Sequence, residues 1–210
     1  MLPFRRGAPS RDPLTLPLFP LKTVLFPGGM LPLKVFEQRY IDMIKRCLKD
    51  DQPFGVCLLT RGDEVARRGA AGPPEFALIG TLARITAWDM PQLGILQLKT
   101  EGGTRFQVQS HRVADDGLVL AQATTLVAEP RVALPEIHQP LANLLELMIN
   151  RVGRENFAGE PALDDASWVG YRLAELLPLP ATIKQSMLEI NDSEVRLKAI
   201  AQFLKQQDLL

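Results

Sequence analysis

The sequence predicts an α+β protein, with a β-barrel-like N-terminal part that contains one helix and a helical C-terminal part. Residues 14–128 form short apolar segments separated by turn residues, whereas apolar positions after residue 140 recur about every 3.6 residues. Between them lies a seam with three prolines, at positions 130, 135 and 140. Because strands come first and helices follow, we predict subdomains at residues 1–129 and 130–210.

The N-terminal part begins with LPLFPLKTVLFPGGMLPLKVFEQRY at residues 16–40. Residues 16–26 are apolar and contain two prolines, which favour an extended strand over a helix. The PGG sequence at residues 27–29 predicts a tight turn, because proline presets φ and the next glycine takes a positive φ. A second strand and a helix to about residue 50 follow. The predicted apolar face of this helix comprises Phe36, Tyr40, Met43, Ile44, Cys47 and Leu48.

Further strands are predicted at residues 54–60 and in four segments between residues 76 and 128. Turn residues separate these four segments at Pro91-Gln92, Gly102-Gly103 and Asp115-Asp116-Gly117, a spacing typical of antiparallel meanders. The alternation RFQVQ at residues 105–109 predicts one wet and one buried face. The total of six to eight strands is enough to close or nearly close a barrel.

The C-terminal part is predicted to be helical to its end. Pro140 suits a first helical turn, and Asp164 or Asp165 can cap the next helix. Asn191 and Glu194 have capping-box spacing before the last helix. That helix is predicted to bury Leu197, Ile200 and Leu204.

Composition argues against several functional classes. Lys+Arg and Asp+Glu balance at 24 each, whereas nucleic-acid-binding proteins usually carry a basic excess. No apolar run is long enough to span a membrane, and the N-terminal residues do not resemble a secretory signal. Cys47 and Cys57 are predicted to be buried apolar side chains. We therefore expect a cytoplasmic protein, with neither nucleic acid nor membrane as its partner.

Catalytic and cofactor motifs are missing from the sequence. It contains no P-loop, no dinucleotide-binding glycine motif, no H-E-x-x-H and no C-x-x-C. His111 and His138 are too few for a histidine-based metal site. Lys184 and Ser186 are two positions apart on a predicted helix and point to different faces. We therefore predict no catalytic residues, no metal and no cofactor.

Four segments resemble the Lon protease N-terminal (substrate-binding) domain family. They are LPLFPLKTVLFPGGMLPLKVFEQRYIDMI, GTLARI, GGTRFQV and ELLPLPATIKQSMLEINDSEVRL, and they occur in the order found in that family. The resemblance implies a PUA-like β pseudo-barrel followed by a helical bundle. Because no ATPase or peptidase module follows, the sequence resembles free-standing members of the family. Proteolysis is therefore not part of the expectation.

The resemblance implies a non-enzymatic protein that binds unfolded or extended protein segments. A groove where the barrel meets the helices would hold such segments by side-chain burial or strand addition. The candidate contacts are Phe26, Phe36, Arg39 and Tyr40, which flank the turn and the start of the first helix. The sequence leaves the oligomeric state open, as well as a role for an ATPase or protease as a further partner.

Two other functions stay open. PUA-like barrels bind RNA elsewhere, and an arginine patch for that purpose would comprise Arg61, Arg67, Arg68, Arg84 and Arg105. The other is an unrecognised hydrolase that uses Cys57 or Ser186, with His111 as the candidate base for a cysteine nucleophile.

Overall fold

The computed structural model describes residues 13–63 and 74–208, and it confirms the α+β class. The first part contains β1 (Leu14–Leu21), β2 (Met30–Val35), α1 (Gln38–Asp50), β3 (Phe54–Arg61), β4 (Glu75–Phe76), β5 (Ile79–Gln92), β6 (Ile95–Val113) and β7 (Val119–Thr125). The second contains α2 (Gln139–Val152), α3 (Ala166–Leu176), α4 (Ala181–Glu189) and α5 (Ser193–Gln206), with 3-10 turns at Glu136–His138 and Arg154–Asn156. None of the helices within the described ranges has the length and apolar character needed to cross a bilayer.

Five strands close into a barrel. Their order is β1-β7-β6-β5-β3, and β3 returns to pair with β1 in parallel, from Leu18 opposite Gly55 to Leu21 opposite Leu58. Strand β2 lies outside this ring and, among the described strands, pairs only with the first half of β6. The barrel therefore carries a lateral extension in which β6 is the central strand between β2 and β5.

The predicted turn at Gly102-Gly103 is wrong, since both glycines lie inside the continuous strand β6. At Gly102 the reason is a close backbone approach, because a Cβ there would lie 2.1 Å from the carbonyl oxygen of Phe26. Gly102 N also donates to the Gly29 carbonyl at 2.8 Å, and Gly28 N donates to the Gly102 carbonyl at 2.7 Å. Gly102 thus allows the turn before β2 to sit directly against β6.

The barrel and the helices share a hydrophobic core. Val24, Phe26 and Leu58 of the strand region are buried in the same cluster as the inward faces of α2, α3, α4 and α5. A second cluster lies between α1 and the sheet, and a third fills the barrel around Phe106. The boundary between residues 129 and 130 stays a prediction.

The buried face of helix α1 differs from the predicted apolar face at both ends. Tyr40, Met43, Ile44 and Cys47 are buried, but Phe36 is 52% exposed and Leu48 is 36% exposed. Phe36 precedes the N-cap residue Glu37, so it is outside the helix and does not follow its period.

The structure shows which residues cap α3 and α5. The sequence left two candidates for the cap of α3, and its prediction for α5 was wrong. Asp165 caps α3 by accepting a hydrogen bond from Ser167 N at 3.0 Å. Helix α5 is capped by Asp192, not by the predicted Asn191, because the Asp192 carboxylate accepts from Glu194 N and Val195 N. The buried face of α5 contains Leu197, Ile200 and Leu204, as predicted.

Candidate functional site

The four candidate contact residues from the sequence have very different environments. Phe26 is fully buried and Tyr40 is 5% exposed, so neither offers a surface to a ligand. Tyr40 stacks on Phe19 with ring centroids 4.0 Å apart. Phe36 alone among the four is substantially exposed, because it lies between the end of β2 and the start of α1.

Arg39 makes internal contacts. Its Nη1 donates to the Gly117 carbonyl at 2.8 Å, and its Nη2 lies 3.1 Å from Oε2 of Glu37. The guanidinium carbon lies 4.5 Å from the centre of the Tyr40 ring, which adds a cation–π contact. With a side chain only 13% exposed, Arg39 joins the start of α1 to the turn between β6 and β7.

Much of the lateral extension of the barrel is exposed. Leu33, Leu98 and Trp88 lie opposite one another across β2, β6 and β5. Leu98 is buried in the cluster that contains the inward side of α1, and Leu33 packs against that cluster. One face of the extension is therefore covered by α1. Trp88, on the outer strand β5, is 55% exposed.

The opposite face of the extension carries a pocket of about 390 Å³. Its nine lining residues form three cross-strand rows, and directly paired residues of antiparallel strands point to the same side. Six of the nine belong to the two rows that point away from α1, and the row between them is that of Leu33, Leu98 and Trp88. Because α1 contributes no lining residue, we assign the pocket to the side away from that helix. We call this surface the groove face; its six exposed residues are Pro32, Lys99 and Ala87 in one row and Lys34, Gln97 and Asp89 in the other.

The groove face carries separated charges. Lys34 and Lys99 lie on β2 and β6, whereas Asp89 lies on β5. Within the described residues neither lysine forms an ion pair or a side-chain hydrogen bond. The next cross-strand row contains Arg84 and Glu101, whose charges neutralise each other because Arg84 Nη2 lies 2.7 Å from Oε2 of Glu101. The β2 and β6 side of the pocket is therefore positive.

Sequence reasoning missed the groove face. A signal was present in LQLKT at residues 96–100, where Leu96, Leu98 and Thr100 alternate with Gln97 and Lys99. That alternation indicates a wet face. It does not reveal that β2 pairs with this part of β6, since the pairing joins residues more than 60 positions apart.

A buried polar network lies where the barrel meets the helices, and Glu129 is at its centre. Ser167 Oγ and Tyr171 Oη donate to its carboxylate at 2.6 and 2.7 Å, and Arg196 donates to both of its oxygens. Burial alone would raise the pKa of Glu129, but the hydrogen bonds from Arg196, Ser167 and Tyr171 outweigh it and leave the pKa below its ordinary value.

Arg105 of β6 belongs to the same network, which corrects its predicted place on a wet face. It is 3% exposed, and its Nη1 donates to the carbonyl oxygens of Leu188 and Ile190 at 2.7 and 3.2 Å. Its Nη2 lies 3.6 Å from Oε1 of Glu129. These contacts connect the barrel to the region where α4 ends.

Among the arginines considered for RNA, the three that the structure describes do not form a free surface. Arg105 is buried, and Arg84 and Arg61 are paired with Glu101 and Glu75. The two other arginines of that patch, at positions 67 and 68, lie outside the described residues.

The residues considered for hydrolysis have other partners. Burial raises the pKa of the Cys57 thiol to about 12 and that of Cys47 to about 11, so both stay protonated at neutral pH. Ser186 Oγ donates to the Thr182 carbonyl at 3.2 Å. Lys184 Nζ donates to the Glu175 carbonyl at 2.6 Å. Neither contact activates a nucleophile.

Comparisons with known proteins agree with this architecture. The family model for the ATP-dependent protease La (LON) substrate-binding domain matches residues 15–206. The Lon N-terminal domain protein from Xanthomonas campestris is 36% identical, with a TM-score of 0.71 over 90% of this chain and 98% of that chain. The N-terminal domain of Mycobacterium avium complex Lon protease is 16% identical with a TM-score of 0.60, and that likeness concerns the fold alone.

Full-length relatives match over one region only. Lon protease 2 from Myxococcus xanthus is 28% identical over 203 residues, which make up 93% of this chain and 24% of that protein. The Lon protease of Anaeromyxobacter dehalogenans is 27% identical, and the match covers 93% of this chain and 23% of that protein. The chain therefore spans about a quarter of the curated relatives that it matches. From the family match and the shared fold, we conclude that this chain belongs to the Lon substrate-binding domain family.

Proposed function

We propose that this chain binds extended, unfolded polypeptide segments on the groove face. The observation that carries the proposal is the open pocket of about 390 Å³ on the side of β2, β6 and β5 away from α1. Its volume lies in the range of about 300–1,000 Å³ that is usual for ligand sites. Lining groups such as Pro32 and Ala87 provide apolar contact, while Lys34, Lys99 and Asp89 provide charged groups.

An extended peptide fits this surface better than a folded partner does. Three strands spaced about 4.8 Å apart give a face roughly 10 Å wide, which matches one extended chain with its side chains. In such a chain every second side chain points to the same side, so one enters the pocket while its neighbours face solvent. Phe36 follows β2 and is half exposed, and we include it as an additional apolar contact.

The family supports a polypeptide as the occupant, because its description names a substrate-binding domain of a protease. The match concerns that domain and gives no support for peptidase or ATPase chemistry in this chain. We therefore propose binding without catalysis. Cooperation with an ATPase or protease and a cytoplasmic location remain predictions.

The test is a fluorescence anisotropy titration with labelled, unfolded peptides and the Ala87→Tyr variant. Ala87 is exposed on β5 and lines the pocket, so the larger ring fills the pocket without disturbing the core. We expect saturable binding by the wild-type protein and at least about tenfold weaker binding by Ala87→Tyr, a loss of about 1.4 kcal/mol.

Thr104→Tyr is the matched control. Thr104 is also exposed on a strand, but it does not line the pocket, so its variant should bind like the wild type. Equal binding by all three proteins would place the peptide elsewhere. No saturable binding up to about millimolar concentration would reject the proposed function altogether.

A further inference from the structure

The charged residues of the groove face are placed so that negatively and positively charged ligands would bind there with different affinities. Lys34 lies opposite Gln97, and Lys99 is two residues farther along β6, so the two lysines are diagonal neighbours on one face. Diagonal positions of this kind are roughly 7–8 Å apart, which lets two flexible ammonium groups approach one carboxylate. Asp89 occupies the far end of the Lys34 row, on the other side of the central strand.

Within the described residues, neither lysine forms an ion pair with a carboxylate. Glu101 lies two residues beyond Lys99 on the same face, but its carboxylate is held by Arg84 at 2.7 Å. The Asp89 carboxylate accepts a hydrogen bond from Met90 N at 2.8 Å. It is separated from Lys34 by two strand spacings, about 10 Å. It is a diagonal neighbour of Lys99, but the two form no ion pair. Both ammonium groups are therefore available to a ligand.

We propose that the groove face prefers segments in which an acidic side chain adjoins apolar ones. The carboxylate lies over Lys34 and Lys99, and the apolar neighbours contact Pro32 and Ala87, which flank Lys99 in its row. Asp89 repels a carboxylate on the β5 side, so it sets the direction in which the segment lies. This preference rests on the proposed peptide-binding function and specifies its substrate class.

The apolar lining and the small number of cations favour a peptide over a nucleic acid. Tight electrostatic binding of a phosphate backbone normally uses many cations, and the described groove face provides two. An exposed lysine–carboxylate pair instead contributes a modest, salt-dependent gain, about two- to fivefold in affinity for each lysine. We therefore expect selectivity among peptides.

The experiment compares three labelled peptides that are identical except for Glu, Gln or Lys at one central position. Each has an acetylated N-terminus and an amidated C-terminus, so that the central side chain provides the only difference in charge. We expect the Glu peptide to bind about five- to tenfold more tightly than the Gln peptide, and the Lys peptide to bind most weakly. Raising the salt concentration should reduce these differences.

Variants of the charged groove-face residues test which of them cause the preference for the Glu peptide. The double variant Lys34→Gln/Lys99→Gln should bind the Glu and Gln peptides equally. Asp89→Asn should strengthen binding of the Glu peptide. Lys198→Gln, on helix α5, is the matched control and should behave like the wild type, because Lys198 is 65% exposed and does not line the pocket.

The outcomes separate this preference from the function on which it rests. Equal affinity of the wild type for the Glu and Gln peptides would overturn the preference while leaving peptide binding in place. An equal loss for all three peptides in the double variant would also overturn it, because the lysines would then act independently of ligand charge. Binding of none of the peptides would reject the proposed function and the preference together.

Discussion

Arg172 Nη1 donates a hydrogen bond to the carbonyl oxygen of Gly28 at 2.6 Å, joining helix α3 to the turn before β2. The same guanidinium donates to the Pro27 carbonyl at 2.8 Å through Nη2, and its Nη1 lies 3.0 Å from Oε2 of Glu175. Arg172 is 1% exposed. The turn thus depends on a cation from the helical part for hydrogen bonds to two of its partly buried carbonyl groups.

Replacing Arg172 with Met should lower the free energy of unfolding by about 3–5 kcal/mol. The carbonyl groups of Pro27 and Gly28 lose their hydrogen-bond donor, and the Glu175 carboxylate loses the cation that it pairs with. Burial already raises the pKa of Glu175, although Arg172 and Lys184 oppose this shift. Urea unfolding followed by circular dichroism measures the change.

Arg131→Met is the matched control for this substitution. Arg131 is 68% exposed and pairs with Asp164 at the surface, so its loss should cost no more than about 1 kcal/mol. Similar costs for the two variants would contradict the structural role assigned to Arg172.

Gly102→Ala should destabilise the protein, whereas Gly103→Ala should have little effect. A Cβ on Gly102 would lie 2.1 Å from the Phe26 carbonyl oxygen, so the backbone of the turn must move. A Cβ on Gly103 meets nothing closer than 3.4 Å. We expect about 1–3 kcal/mol or more for Gly102→Ala, measured from thermal and urea unfolding. Equal midpoints for the two variants would argue against this close approach.

Phe36→Ala should change the free energy of unfolding by less than about 1 kcal/mol, because the ring is half exposed. Phe26→Ala removes a fully buried ring and should cost about 3–5 kcal/mol. Unfolding curves of both variants test the contrast. A large cost at Phe36 would place that ring in the core and remove it from the proposed contacts.

Glu129→Gln should be strongly destabilising, by about 3–5 kcal/mol, because Arg196 and Arg105 are then buried without a counter-charge. Equilibrium unfolding at neutral pH measures this cost. Glu155→Gln, at an exposed position, is a suitable control and should unfold like the wild type. A wild-type midpoint for Glu129→Gln would mean that the network does not depend on the carboxylate charge.

The same carboxylate should also affect the pH dependence of stability. The pKa of Glu129 is lower in the folded than in the unfolded chain, so its contribution is present above the unfolded pKa of about 4.5. It is lost as the pH falls through the folded pKa. Glu175 has the opposite shift and contributes below its unfolded pKa. Between neutral and acidic pH, Glu129→Gln should therefore lose less stability than the wild type, and an unchanged slope would contradict this assignment.

Local patterns predicted much of the architecture. The proline and glycine residues of the PGG turn restrict φ locally, and Gly28 indeed has a φ of 69°. The helical period after residue 140 gave the order and the inward residues of α5 correctly, because burial on a helix recurs with a fixed spacing. The prediction failed where a residue's environment comes from distant chain segments, as at Gly102, Arg105 and Phe36.

The candidate site depended on such distant segments. The groove face exists because β2 pairs with β6, and no local pattern in residues 30–35 or 95–101 specifies that pairing. In the same way, the burial of Arg105 depends on Glu129 and on the end of α4. The sequence by itself determined the class of fold and the PGG turn, because these follow from local backbone preferences and period, and its motifs indicated the family. Only the tertiary structure decided which apolar rings are exposed and which charges lack a partner, because burial and pairing depend on residues far apart in the chain.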